Sequence, residues 1–215
     1  MTMNILQSTC CLNNQAVELL ISGQSSRASK TLQNALQLLA GDDGEHPNKN
    51  ESVDDFDIGC SRSIGVPDLQ ASAFFIYGHA IIIMEPAALQ KITDEMICYY
   101  SSVVLFNWAL TLHREGILGR KTNLKKAASI YARCLLVLAA IKSEQTADIL
   151  TLLVLNNLAQ IHSELCDYSE CSHCLARVSN LLVEARSMDG CILTSKDVDA
   201  MVLNAMFSPT AAQAA

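Results

Sequence analysis

Apolar residues recur along this chain at steps of three and four, interrupted by short polar breaks. Leu12, Ala16, Leu19 and Leu20 share one face of a helix predicted over 12–21, which Ser22, Gly23, Gln24 and Ser25 bring to a stop. Ser26 is placed to cap a second helix that carries Ala28, Leu32, Ala35, Leu36 and Leu39 on one side. The same alternation predicts a long helix from Thr93 or Asp94 to His113 and another after a turn at 116–123. It predicts a further pair over 152–165 and 169–185, split by Cys166, Asp167 and Tyr168. Ser195 is a plausible cap for a last helix bearing Val198, Met201, Val202, Ala205 and Met206, with Asp197 in its first turn.

Three of these helix pairs repeat a common device. A small residue in the first helix is followed 12 residues later by one in the second, Ala16 and Ala28 in one copy and Ala159 and Cys171 in another. Four and seven residues after the second small residue come core positions, Leu32 and Ala35 or Leu175 and Val178. The middle copy aligns Phe106, Asn107, Trp108 and Ala109 with Asn156, Asn157, Leu158 and Ala159, and continues with Ala127, Tyr131 and Cys134. Here the two small residues are 18 apart, and the extra six are assigned to the turn 116–123.

These small pairs, with Tyr131 and Tyr168 at aromatic positions, resemble the tetratricopeptide repeat (TPR), in a degenerate and interrupted form similar to uncharacterised divergent members of that superfamily. Small residues let two helix backbones approach closely. The copies are not tandem, since their first small residues are 93 and 50 residues apart against a family period of about 34. The resemblance implies a mainly α fold of TPR-like antiparallel helical hairpins, an α-α superhelix with an inserted disordered loop and a short extended or β-hairpin segment. The expected organisation is a first hairpin over 1–40, an acidic disordered loop over 41–67 and an extended or hairpin insert over 68–93. The second and third hairpins follow over 94–188, a capping helix over 189–207 and a tail over 208–215.

The insert holds two apolar runs, Ala73–Tyr77 and Ala80–Met84, separated by Gly78 and His79. They are expected to pair as a small hairpin or to lie along the helices. Half the chain is apolar and 17% is charged, so a real core is within reach. The net charge of −7 is concentrated between Asp42 and Asp57, where seven acids face Lys49 alone; this argues against a nucleic-acid-binding surface. No apolar run is long enough to span a bilayer and no signal peptide is read at the start. Nine cysteines, set mostly in helical patterns, are expected to be reduced thiols in the cytoplasm or nucleus.

Candidate chemistry is sparse. His162, Cys166, Cys171, His173 and Cys174 flank one turn, and four of them are conceivable zinc ligands, although Cys171 also occupies a small core position. The expectation is structural thiols and no cofactor. No hydrolase, metalloprotease or phosphate-loop motif occurs. Asp54, Asp55 and Asp57 lack the spacing of a calcium loop, and Phe56 and Ile58 between acids suggest a short linear motif at most. Arg114, Arg120, Lys121, Lys125 and Lys126 gather at one place, read first as a wet interhelical turn and alternatively as a seat for an acidic peptide, the 42–57 loop included, or as an import signal.

The resemblance places a partner-binding groove on the first helices, three residues before and one, four and five after each small residue. On this chain those are Asn13, Val17, Leu20 and Ile21, then Phe106, Leu110, His113 and Arg114, then Asn156, Gln160, Ser163 and Glu164. The expected function is a non-enzymatic adaptor that holds a peptide or helix of another protein there, with Phe106 as apolar anchor and Asn156, Gln160 and His113 fixing direction. The alternatives are a zinc- or thiol-dependent regulator using Cys166 to Cys174, and a structural subunit that docks through the apolar run Phe74 to Met84. No nucleic-acid or membrane partner is expected.

Overall fold

In the computed structural model, which describes residues 5–41, 61–65, 74–84, 92–142, 144–185 and 192–206, the described residues form seven helices and one two-stranded sheet. The helices are α1 (Ile5–Ile21), α2 (Ser25–Ala40), α3 (Asp94–Ile117), α4 (Lys121–Leu138), α5 (Glu144–Glu164), α6 (Tyr168–Ala185) and α7 (Ser195–Met206). Strands β1 (Arg62–Gly65) and β2 (His79–Ile82) lie between α2 and α3 in the chain.

Each helix packs on its neighbour in sequence, most extensively within the pairs α1–α2, α3–α4 and α5–α6. The odd-numbered helices also touch one another directly, α1 against α3 and α3 against α5, and so make an inner layer. All six small residues of the repeat, Ala16, Ala28, Ala109, Ala127, Ala159 and Cys171, are buried. The core sites read after them, Leu32, Ala35, Tyr131, Cys134, Leu175 and Val178, are buried as well.

The three hairpin turns share one backbone device. Gly23, Gly119 and Cys166 have φ of 78°, 111° and 61°, the left-handed region. Around each, two hydrogen bonds close the first helix: Gly23 N to Leu20 O and Gln24 N to Leu19 O, with the same pattern at Gly119 and Arg120 and at Cys166 and Asp167. This is the Schellman closure, which satisfies carbonyls that a helix end otherwise leaves unpaired. Cys166 carries a side chain where the other two copies carry none.

The six extra residues of the middle hairpin are not in its turn. From Ala109 to the end of α3 is eight residues, against five in α1 and five in α5; from the start of α4 to Ala127 is six, against three in each of the other pairs. Three residues have been added to each helix, close to one turn of 3.6, so both helices lengthen together and keep their faces in register. Gly116 sits where they meet: a Cβ there would lie 2.4 Å from Leu124 Cδ2 and 3.0 Å from Leu124 N.

Several helix limits differ from the periodic reading by a few residues. α1 begins at Ile5 and α5 at Glu144, earlier than their apolar patterns suggest. Ser26 lies inside α2 rather than capping it. Thr93 does cap α3, its Oγ1 accepting from Met96 N at 3.2 Å. Thr194, one residue before the expected Ser195, caps α7, accepting from Asp197 N at 3.2 Å while Asp197 Oδ2 accepts from Thr194 N at 2.9 Å.

Of the two arrangements expected for the apolar runs, lying along the helices is the one the described residues adopt, and no hairpin forms within 74–84. Residues 74–84 run as one extended segment held by side chains of α1, α3, α5 and α7, and β2 pairs antiparallel with β1, Arg62 opposite Ile82 and Gly65 opposite His79. β1 therefore emerges from the stretch expected to be loop, and Ser61 before it is buried, its Oγ 2.6 Å from Tyr99 Oη on α3. The remainder of the acidic stretch, including Asp54–Asp57, Phe56 and Ile58, and the tail over 208–215 lie outside the described residues.

Two substitutions test the hairpin geometry by thermal or denaturant unfolding. Cys166→Gly removes the left-handed strain and is expected to stabilise by about 1 kcal/mol. Gly116→Ala is expected to destabilise by about 1–2 kcal/mol, the overlap with Leu124 outweighing the gain in helix propensity.

Candidate functional site

An extended strand laid on helices has a problem that a strand in a sheet does not. Its N–H and C=O groups need partners, and the helix backbones have none to offer, their own groups being used internally. In this chain asparagine side chains supply them. An asparagine amide presents one donor and one acceptor side by side, so it can close a two-bond pair on the N–H and C=O of one strand residue.

Asn204 on α7 accepts from Phe75 N at 2.9 Å and donates to Phe75 O at 2.7 Å. Asn157 on α5 does the same at Tyr77, with 2.8 and 3.0 Å. Asn107 on α3 does so at Ile81, with 2.9 and 2.8 Å, and Asn14 on α1 at Ile83, with 3.0 and 2.8 Å. The clamped residues are 75, 77, 81 and 83, all on one edge of the strand. Because Ile81 turns both backbone groups toward the helices, the ladder to β1 uses the opposite edge.

The row is cross-linked. Asn13 donates to Ile81 O at 2.9 Å and accepts from Asn107 at 2.9 Å, while Asn156 donates to Phe75 O at 3.2 Å and accepts from Asn204 at 2.8 Å. Asn13, Asn107, Asn156 and Asn157 are wholly buried beneath the strand. Dimensions suit the arrangement: from Phe75 to Ile83 is about 26 Å of extended chain, and three helix spacings of about 9 Å span about 27 Å.

Under the strand lies a line of rings. Tyr77 is 6.2 Å from Phe106, Phe106 is 5.9 Å from Tyr131, and Tyr131 stands edge-on 6.1 Å from His113. The Tyr77 hydroxyl donates to Ile192 O at 2.6 Å, and Tyr131 Oη accepts from Asn157 at 3.1 Å. Burial pushes both phenols well above their ordinary range, so neither ionises.

Most of the residues expected to line an open groove do not face solvent. Phe106, Leu110, His113, Arg114, Asn156 and Gln160 are all buried, Ser163 is half-buried and Glu164 is exposed. Phe106 is thus not a free anchor; it packs under Tyr77. His113 Nε2 lies 2.6 Å from Gln160 Oε1, joining α3 to α5, and Gln160 donates to Glu164 at 3.1 Å. Arg114 donates to Leu20 O at 3.0 Å and joins α3 to α1. Asn13 meets the strand, while Val17 and Leu20 are buried and Ile21 is half-buried. The apolar run Phe74 to Met84, expected as a docking surface, has Tyr77, Ala80, Ile81 and Ile83 buried.

The recurring feature that the groove positions overlook is the residue two before each first-helix small residue: Asn14 before Ala16, Asn107 before Ala109, Asn157 before Ala159. Each makes a two-bond clamp. An asparagine repeated on the inner face of three otherwise apolar helices was the available signal.

The conceivable zinc ligands do not assemble. Among the described residues no group of three or more His, Cys, Asp or Glu side chains is placed to hold a metal ion. Cys171 and Cys174 point into the core, His173 and Cys166 are exposed, and His162 lies 3.4 Å from Asp167. Burial raises the Cys171 thiol and takes that of Cys174 up to about 12, so both stay protonated near neutral pH. Of the basic turn, Arg114 is buried, Arg120 lies 3.6 Å from Glu115, and Lys121, Lys125 and Lys126 are exposed. No helix among the described residues is long and apolar enough to cross a membrane.

Compared with protein-family models, with curated proteins and with solved structures, the chain matches none.

Two measurements address the energetics of this site. Asn107→Leu strands the buried Ile81 N–H and is expected to destabilise by about 2–3 kcal/mol, against almost nothing for Asn34→Leu on the exposed side of α2. The second concerns His113, whose pKa burial lowers to about 4 and whose Nδ1 has no hydrogen-bond partner among the described residues. The unfolded chain takes up this proton first, so His113 costs no stability above about pH 6.5, and stability falls as pH drops from there toward 4. The loss approaches about 3 kcal/mol. Urea unfolding across that range is expected to show this component of the slope in the wild type and not in His113→Gln.

Proposed function

We propose that the chain is a non-enzymatic protein-interaction module of TPR-like helical hairpins, whose inner face receives an extended polypeptide through its main chain. The asparagine row carries this reading. Asn14, Asn107, Asn157 and Asn204 bind N–H and C=O groups that every residue except proline possesses, from four helices spread over most of the chain. Main-chain capture of a strand with side-chain seats beneath it is a general mode of peptide recognition. Here the occupant is the chain's own segment 74–84.

The test opens the groove and supplies the strand from outside. Tyr77→Ala with Ala80→Glu loosens the internal segment while leaving every helix residue unchanged. A labelled synthetic peptide of residues 74–84 is expected to bind this variant by fluorescence anisotropy, and adding Asn157→Ala is expected to weaken binding about tenfold or more. A loosened variant that keeps its helical circular dichroism yet takes up no peptide would sink the reading.

A further inference from the structure

The charges of this chain are sorted by layer. The inner helices α1, α3 and α5 carry seven acids between them and, of bases, Arg114 alone. The outer helices α2 and α4 reverse this, with Arg27, Lys30, Lys121, Lys125, Lys126 and Arg133 and no acid, all six bases exposed. In a chain of 22 acids and 15 bases, that sorting leaves one face of the stack positive. We propose that this face docks an acidic peptide of another protein, with an aliphatic residue among its acids, at the cavity where the first two hairpin turns meet. The surface lies apart from the asparagine row and does not depend on the inner-face reading.

The two turns border a cavity of about 520 Å³, lined on one side by Gln24, Ser26 and Arg27 and on the other by Glu115, Leu118 and Arg120. Arg27 donates to the neutral side chain of Gln24, a bond that leaves its charge uncompensated. Glu115 has a side chain only 17% exposed; it accepts from Asn123 at 2.7 Å and stands 3.6 Å from the outlying Arg120. One shielded carboxylate thus meets two guanidinium groups, with Lys30 one helical turn on from Arg27 and Lys121 next to Arg120. Leu118 is 63% exposed at the same place, an aliphatic surface for a partner's aliphatic side chain to cover. None of the described residues lining the cavity is aromatic, so it offers no platform on which a base would stack, and a peptide fits it better than a nucleic acid.

The chain's own acids between Asp42 and Asp57 do not match this place in length. Gly41 is about 21 Å of helix from Arg27, and Tyr99, which holds Ser61, is about 24 Å of helix from Glu115. At about 3.3 Å per residue from either end, Asp42, Asp43, Glu45 and Asp57 stop short of the cavity, and Asp54 and Asp55 approach it only with the backbone fully stretched. Glu51 alone reaches it with slack. The complementary charge therefore comes from another molecule.

The test titrates the full-length chain, by fluorescence anisotropy at low ionic strength, with a labelled ten-residue peptide of Asp and Glu that has one leucine at its centre. The wild type is expected to bind it in the micromolar range, and Arg27→Glu with Lys121→Glu to bind it at least about tenfold more weakly. Both substitutions fall in first helical turns, where an acid is favourable, so the variant keeps its fold. Lys142→Glu with Lys196→Glu makes the same change in net charge at exposed positions beyond the far end of α4 and on α7, and is expected to shift binding by less than about twofold. Leu118→Ser is expected to weaken the leucine peptide about fivefold and a peptide with serine in its place hardly at all. No binding by the wild type overturns the proposal, as do equal losses in the two charge-reversed pairs, and equal weakening of both peptides overturns the aliphatic contact. A full-length chain with amides in place of its seven acids between Asp42 and Asp57 is expected to bind within about threefold of the wild type. Binding at least about tenfold tighter would assign the face to the chain's own segment. Stronger competition by a ten-nucleotide single strand than by unlabelled peptide would assign it to nucleic acid, and a molar mass that rises with concentration and falls on adding peptide would assign it to a second copy. Each of these three results overturns the partner assignment.

Discussion

The structure turns on one constraint: a strand crossing a helical stack must find hydrogen-bond partners for its backbone, and helices have only side chains to give. Asparagine meets the requirement with the least freedom to lose. Aspartate lacks the donor and glutamine adds a rotatable bond whose ordering costs more entropy, whereas asparagine holds donor and acceptor only two rotatable bonds from a rigid helix. Set two residues before Ala16, Ala109 and Ala159, the amides inherit the spacing of the helices themselves. The direct contacts of α1 with α3 and of α3 with α5 bring successive amides within reach of one strand.

Each layer beneath depends on the one above. Asn157 touches both Tyr77 and the Tyr131 hydroxyl, so the clamp on the strand is fixed by the second helix of the middle hairpin. Tyr131 in turn stands against Phe106 and His113, and His113 meets Gln160 across the α3–α5 boundary. Arg114 makes the corresponding connection to α1. The positions one, four and five residues after the small residues therefore join inner helices to one another, while those two and three before hold the strand. A helix face of about two turns serves both purposes because 3.6 residues per turn separates them in height rather than in direction.

Much of the hairpin architecture was legible from spacing. The six small residues, the turn at Cys166 and the cap at Thr93 follow from local chemistry that tertiary packing has no reason to override. The lengthened α3 and α4 were not legible, because six residues added as two halves leave each helix's period intact and look, from sequence, like one longer turn. β1 was hidden for a different reason. Arg62–Gly65 is four residues without an apolar alternation, and its strand conformation comes from pairing with β2 and from Ser61 on Tyr99. The asparagines were visible but easily passed over, since a polar residue on an inner helix face reads equally well as solvent-exposed when the strand that buries it is not yet placed. The groove positions that the resemblance implies fall on the same helices as the clamping asparagines, one residue away from Asn14, Asn107 and Asn157.

Clamping by side-chain amides also sets what each end of the chain contributes. Asn204, on the last helix, holds Phe75, and Asn14, on the first, holds Ile83, so a segment from the middle of the sequence is secured by both ends. Contacts that link residues 74–84 to positions as distant as 204 close large loops, an entropic cost that falls once the helices they join are in place. Hairpins built from local contacts are expected to form first, and the strand to settle on the surface they assemble. A segment added last to a finished surface has the same relation to it as an arriving peptide, and the proposed receptor role of the inner face rests on that likeness.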